Sequence, residues 1–321
     1  MATATTTSRQ TSSRTASCDL CGGGEFETVA TADRDSKPLA TVVCCRCGLV
    51  SHEEIPSEAD LAEFYGRQYR QAYHGEVKPS AKRVVRAWET GEALLRRLGK
   101  FVEPGASVFE IGAGIGCSVK VFDLAGYNAS GIEPNEGFCQ YSQQQLQSKL
   151  RNQSLEDVDE TEAFDLVILV HVIEHLRSPA AALKKIHGML RPGGYLHVEC
   201  PNLAGHSAPG KQFHFAHIYN FTAPTLKMLA GSCGFGVAHN FDIKNHVHLR
   251  LLLQKSDTAQ FDLDESSFDY TIDALSQHNT VTYHSRHGYL KQRLKKAVGR
   301  VREQMACRRR LREILAACQS T

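Results

Sequence analysis

The stretch VFEIGAGIGCS, residues 108–118, sets three glycines within five residues directly behind an apolar run that carries a glutamate. A strand that runs into a glycine turn and then a helix offers backbone amides to a nucleotide-like ligand. Two details separate this loop from a dinucleotide-binding turn. The spacing is Gly112-Ala113-Gly114-Ile115-Gly116, so the third glycine comes one residue early for G-x-G-x-x-G. The strand also holds Glu110 near its end. A carboxylate beside a pyrophosphate repels it, whereas beside a cation it attracts. The loop therefore predicts a positively charged ligand without a phosphate.

S-adenosylmethionine meets both conditions, since it carries an ammonium and a sulfonium. Glycines at 112, 114 and 116 would let the backbone approach its methionine and ribose closely. The next predicted strand ends at Glu133, 21 residues after Gly112, where an acid can take both ribose hydroxyls.

Working outward, residues 101–255 alternate short apolar runs with amphipathic stretches, the βαβ pattern of a parallel sheet covered on both faces. Strands are predicted at SVFEI (107–111), NASGIE (128–133), FDLVILV (164–170), YLHVEC (195–200), GVAHNF (236–241) and HLRLLLQ (248–254). Helices are predicted over 116–126, 135–149, 178–190 and 224–233, with Pro179 behind Ser178 and Pro224 behind Thr222 as start signals. The fold class expected is α/β, a Rossmann-like doubly wound sheet.

EIGAGIG, GIEPN, FDLVILVHVIEHLRSP and LRPGGYLHVECPN resemble the successive motifs of the class I S-adenosylmethionine-dependent methyltransferases, over residues 105–240. The nearest likeness is to the group with an H-x-x-E-H segment after strand four. The resemblance implies that Glu110, Gly112 and Gly114 line the methionine end and that Glu133 binds ribose. It places Ser154 and Leu155 beside adenine, and His171 near the methionine moiety. LRPGG would be the turn from a helix into the fifth strand.

Upstream, Cys18-Asp-Leu-Cys21-Gly and Cys44-Cys-Arg-Cys47-Gly form two C-x-x-C-G knuckles 22 residues apart. Such pairs place four thiolates around a structural zinc, and the following glycines permit the tight turns. Either Cys44 or Cys45 can ligate; the C-x-x-C spacing favours Cys44. Zinc ribbons of this kind precede the methyltransferase domain in sugar-methylating enzymes, which this arrangement resembles.

Candidate acid–base residues stand in two segments. HVIEHL (171–176) follows strand four, at the carboxyl end where open α/β sheets bind ligands, and offers Glu174 and His175. KQFHFAHIYNFT (211–222) follows strand five and offers His214, His217 and Tyr219. An imidazole titrating near neutrality can take a proton from the acceptor as the methyl leaves sulfur. The second segment resembles the Y-x-E-H of sugar C-methyltransferases, with His217 on the histidine, His214 on the tyrosine and Ala216 in place of the glutamate. That departure leaves the acceptor open.

The domains expected are a disordered tail (1–17), the zinc ribbon (18–52), a helical linker (53–100) and the methyltransferase domain (101–255). An acidic linker and a basic helix complete the chain (256–321). Tyr65, Tyr69 and Tyr73 recur at helical spacing in the helical linker. The methyltransferase domain is expected to have its own core.

Composition limits the function classes. The 321 residues carry 42% hydrophobic and 22% charged residues, a globular profile without any 18-residue apolar run. The Ser/Thr-rich first 17 residues lack the apolar segment of a secretory signal. Eleven cysteines, an odd number, point to a reducing compartment and a cytoplasmic location rather than a disulfide scaffold. The net charge is +2, yet residues 286–315 alone hold 11 Lys and Arg against two acids. Leu290, Leu294, Val298, Val301 and Met305 recur there at helical spacing. That helix suits an anionic surface, a nucleic acid or its own domain. No N/D-P-P-Y-like motif follows strand four, so a small-molecule substrate is expected rather than a nucleic acid. The competing expectations are an O-methyltransferase acting on a phenolic or quinone-like acceptor and a non-catalytic S-adenosylmethionine-binding interaction protein.

Overall fold

A computed structural model describes residues 12, 14, 16–63, 79–205, 213–241, 246–256, 262–276 and 300–319. In chain order the elements are β1 (Phe26–Ala32), β2 (Pro38–Cys44), β3 (Val50–His52), α1 (Glu58–Glu63), α2 (Ala81–Leu98), β4 (Ser107–Ile111), α3 (Cys117–Leu124), β5 (Asn128–Ile132), α4 (Glu136–Tyr141) and β6 (Leu150–Arg151). They continue as β7 (Phe164–Val170), α5 (Pro179–Met189), β8 (Leu190–Pro201), β9 (Tyr219–Asn220), α6 (Ala223–Ser232), β10 (Phe235–Asn240), β11 (His248–Lys255), α7 (Ser266–Ser276) and α8 (Arg300–Gln319).

The larger sheet has the order β10-β11-β8-β7-β4-β5-β6. Its pairings are parallel except those of β11, which runs against both β8 and β10. The near-continuous apolar run of β7 follows from this layering, because a central parallel strand is covered on both faces. Ser178 caps α5 by accepting from the Ala181 amide, with Pro179 in the first turn, and Thr222 caps α6 in the same manner. Both start signals work as the sequence predicts.

Several boundaries move. The helix predicted over 135–149 is α-helical only to Tyr141 and continues as a π-turn over Ser142–Leu146. LRPGG is not a separate turn. It is the first part of β8, and the extra residues appear as a break in register between Phe164↔Leu190 and Leu166↔Tyr195. The acidic segment expected to be a loop contains α7, whose Ser267 hydroxyl donates to the Cys47 carbonyl at 2.6 Å. Of the first 17 residues only a few are described, and Tyr65, Tyr69 and Tyr73 lie outside the described residues.

The cysteine segment is not an independent unit. Its strands β1, β2 and β3 form a second sheet whose fourth member is β9, from the chain beyond β8. Backbone pairing joins Val50 to Asn220 and Ser51 to Tyr219. Cys18, Leu20, Phe26, Cys44, Cys47 and Leu49 share one buried cluster with Ile173, Ile218, Tyr219 and Phe221. The large sheet keeps a cluster of its own, with Val108, Phe122, Leu166 and Ile168, beside the one it shares with the cysteine segment.

At the other end α8 lies on α2, with Ile314 and Cys318 buried among Val84, Val85 and Trp88. Arg310 reaches Glu92 at 3.2 Å. Leu290, Leu294 and Val298 fall outside the described residues. Arg308, Arg309 and Arg312 are exposed. Among the described residues no helix is long and apolar enough to cross a membrane.

Candidate functional site

The glycine loop joins β4 to α3, and Gly112, Gly114 and Gly116 all have positive φ. They face different surroundings. A side chain on Gly116 would meet Ser142 Oγ at 2.1 Å, so this glycine lets α3 pack against the π-turn. A side chain on Gly114 would meet nothing within 4 Å. Gly114 thus leaves an open space beside the loop.

Two buried carboxylates stand behind that space. Glu133 accepts from the amides of Gly114 at 2.7 Å and Asn135 at 2.8 Å. Burial raises it against those amides. Glu110 is pushed up to about 8, chiefly by burial, with the Glu133 charge adding to the shift and the Ser118 hydroxyl and Val119 amide opposing it. Its Oε2 is buried without a hydrogen-bond partner. Two buried acids, one with an unsatisfied oxygen and the other bonded to the Gly114 amide, fit a cation. Leu155 is buried, and Ser154 caps the short 3₁₀ turn Leu155–Asp157 through a reciprocal bond with Asp157.

Beyond β7 the chain turns at His171, a non-glycine residue with φ 55°. Its Nδ1 lies 3.3 Å from Glu174 Oε1. Glu174 is 1% exposed, and its Oε2 has no partner. Burial opposes a charge on His171, but the Glu174 and Glu199 carboxylates outweigh it and lift its pKa. The predicted segments meet here: His175 Nδ1 lies 2.5 Å from the Ala216 carbonyl, and its ring is 5.0 Å from that of His217. The His214 ring lies 3.8 Å from that of His217, tilted by 47°. Burial and neighbouring imidazoles hold His217 well below the usual histidine range, and burial takes His214 down to about 3. Ala216, whose carbonyl meets His175, is fully buried.

A second group escaped the sequence reading. Glu199 on β8 is opposite Arg250 on β11, and it contacts Arg250 at 3.0 Å, Arg97 of α2 at 3.2 Å and His248 at 3.3 Å. Burial opposes its charge, yet these partners hold the carboxyl down at about 2. Glu199, His248 and Arg250 read locally as parts of apolar strands that β8–β11 register brings together, and Arg97 joins them from α2.

Among the described residues, three groups have metal-ligand donors within 4.8 Å of one another: Cys18, Cys21, Cys44 and Cys47; Glu174, His175 and His217; and His171, Glu199 and His248. In the last, two guanidiniums already neutralise the one carboxylate. The cysteines are different. Cys18 Sγ is 3.5 Å from Cys47 Sγ, and Cys21 Sγ is 3.5 Å from Cys44 Sγ, too long for disulfides. Sulfurs bound tetrahedrally at ~2.3 Å from zinc lie about 3.8 Å apart, so the set fits that metal. Cys45 is not part of this group.

Residues 82–240 match the sequence model of a family described as a methyltransferase domain. A tRNA U34 carboxymethyltransferase of Klebsiella pneumoniae is 28% identical over 41% of this chain and 43% of its own. A ubiquinone biosynthesis O-methyltransferase of Rhodopseudomonas palustris is 28% identical over 30% of this chain and 41% of its own. The chain thus spans less than half the length of these curated relatives. Among solved structures, a Burkholderia thailandensis 1,6-didemethyltoxoflavin-N1-methyltransferase aligns over 65% of this chain and 96% of that one, at 19% identity and a TM-score of 0.49.

A sheet of this order with one reversed strand, and a glycine loop backed by acids, define the class I S-adenosylmethionine-dependent methyltransferase fold. Residues 82–240 are similar to that methyltransferase domain, on an α/β Rossmann-like fold with a mixed central sheet.

Proposed function

We propose that the protein transfers the methyl group of S-adenosylmethionine to a small-molecule acceptor, a sugar or another glycan-pathway intermediate, with a histidine as general base. The observation that carries this reading is the pair of buried acids, Glu110 and Glu133, behind the open side of Gly114. Glu110, Gly112 and Gly114 would hold the methionine end, Glu133 the ribose, and Leu155 with Ser154 the adenine. His171 would complete the site on the β7 side. Bound there, the cofactor supplies a methyl cation equivalent on sulfonium.

The acceptor-side chemistry belongs to His175, His217 and Glu174. The carbonyl of Ala216 fixes the proton of His175 on Nδ1, which leaves the Nε2 lone pair to take the acceptor's proton. Glu174, 4.0 Å from that nitrogen, would stabilise the imidazolium so formed. His217 is held neutral and offers a second acceptor lone pair. Zinc held by Cys18, Cys21, Cys44 and Cys47 would be structural, since four sulfurs fill its tetrahedral shell.

Radiolabelled S-adenosylmethionine, incubated with the protein and fractionated sugar nucleotides, tests the reading through label in a product. Label only in phenolic or quinone-like fractions supports the O-methyltransferase alternative, which the Rhodopseudomonas relative's name favours. Cofactor binding without transfer to either class supports a non-catalytic binding protein.

A further inference from the structure

The first cysteine knuckle reaches out of its own sheet. Asp19, between Cys18 and Cys21, accepts from the Ser178 hydroxyl at 2.7 Å through Oδ1 and from the Ala180 amide at 2.9 Å through Oδ2. The start of α5 therefore has two caps, one local from Ser178 and one supplied by a residue 159 positions earlier in the chain. Ser178 is three residues past His175. The peptide between them is gripped again, because Arg177 Nε donates to the Pro56 carbonyl at 2.9 Å.

The other histidine segment hangs from the same sheet. His52 donates its amide to the Ile218 carbonyl at 2.9 Å, next to His217, and β3 pairs with β9 immediately after it. The two segments are tied to each other by the Tyr219 hydroxyl on the Arg177 carbonyl at 3.2 Å and by His175 on Ala216. Both imidazoles thus sit on peptides clamped between the cysteine sheet and the large sheet. Asp19 cannot move far once the cysteines beside it are fixed.

We propose that the cysteine sheet positions His175 and His217 relative to each other, with Asp19 as the positioning residue that transmits the metal-fixed knuckle to the strand-four loop. The proposal rests on the reading of those cysteines as zinc ligands. An ordinary helix cap would stabilise α5 and leave the imidazoles unmoved. A positioning residue changes their environment without touching them. Among the described residues no hydrogen bond or ion pair joins Asp19 to the cofactor loop between β4 and α3, so that loop should not notice.

The experiment uses the zinc-loaded full chain labelled with ¹⁵N-histidine, as wild type, Asp19→Ala, Asp19→Asn, and Cys18→Ser with Cys21→Ser. In Asp19→Ala, zinc content and S-adenosylmethionine affinity should stay at wild-type values, while the imidazole resonances assigned to His175 and His217 shift and that of His197, inside the large sheet, does not. Asp19→Asn retains one acceptor oxygen and should shift them by less. The double cysteine variant should lose zinc and reproduce the Asp19→Ala shifts or exceed them. Unmoved resonances in Asp19→Ala overturn the proposal and reduce Asp19 to a cap. Loss of cofactor affinity together with the shifts overturns it too, by showing general unfolding. If the wild type binds no zinc, the metal reading fails, and the two Asp19 variants still decide whether the residue positions the histidines.

Discussion

The Nδ1 of His175 meets the carbonyl of Ala216 at 2.5 Å, although 41 residues separate them in the chain. That contact sets the tautomer of the imidazole and joins the segment after β7 to the segment before β9.

If His175 is the base, His175→Ala should cut turnover about 10²–10⁴-fold with cofactor affinity unchanged. His217→Ala should fall in the same range only if the neutral His217 takes the proton itself. Single-turnover transfer of labelled methyl measures both. Near-normal rates in both variants would remove histidine from the mechanism.

Cofactor selectivity follows from the two buried acids. S-adenosylmethionine should bind and NAD should not, and Glu133→Ala should weaken binding by about 1–3 kcal/mol. Calorimetry decides the point, and NAD binding in the absence of S-adenosylmethionine binding would end the cofactor assignment.

Glu110 gives that affinity a pH dependence. Its folded pKa of about 8 leaves it protonated at neutral pH, whereas a bound cation favours the carboxylate. Binding should therefore release a proton below pH 8, and affinity should rise with pH by up to about tenfold per unit until that point. Titrations in buffers of different ionisation enthalpy count the protons. Zero release at pH 7 would mean that Glu110 does not feel the cofactor.

One zinc should accompany each chain, and Cys18→Ser with Cys21→Ser should remove it. Because the cysteine sheet shares its core with Ile173 and Phe221, the loss should lower the thermal midpoint of the whole protein. Elemental analysis with a thermal scan tests both parts. Full zinc retention in the variant would refute the ligand set.

Acid should weaken the fold through its buried imidazoles. Burial lowers His52 to about 4, His197 to about 3 and His214 to about 3. Each is neutral when folded but protonates near pH 6.5 when unfolded. The unfolded chain then binds more protons, and each histidine removes up to about 1.4 kcal/mol per pH unit below 6.5. Glu110, whose folded pKa is raised, opposes this between pH 8 and 4.5. Urea midpoints at pH 7 and 5 should fall for the wild type and fall less for His197→Leu. Equal slopes would show that His197 titrates normally in the folded protein.

Strands β4, β5, β7, β8, β10 and β11, the helices between them, the glycine loop, the two acids and the cysteine pairs are legible in the sequence. These are local signals. Periodicity follows from burial on one or two faces, helix starts from capping chemistry at Ser178 and Thr222, and the cation preference from Glu110 within a few residues of the turn. Tertiary structure decided everything that joins distant segments. The ion pairs of Glu199 come from the register of β8 with β11 and from the packing of Arg97 on α2, which cannot be read from any one element alone. The helix α7 forms in an acidic stretch because Ser267 and Thr271 pack on the knuckle at Gly48. The cysteine sheet loses its independence because β9, only two residues long, pairs its backbone with β3 and draws both histidine segments together. Backbone pairing of so short a strand leaves no periodic trace in sequence, and so the position of the acceptor-side histidines is a property of the folded chain.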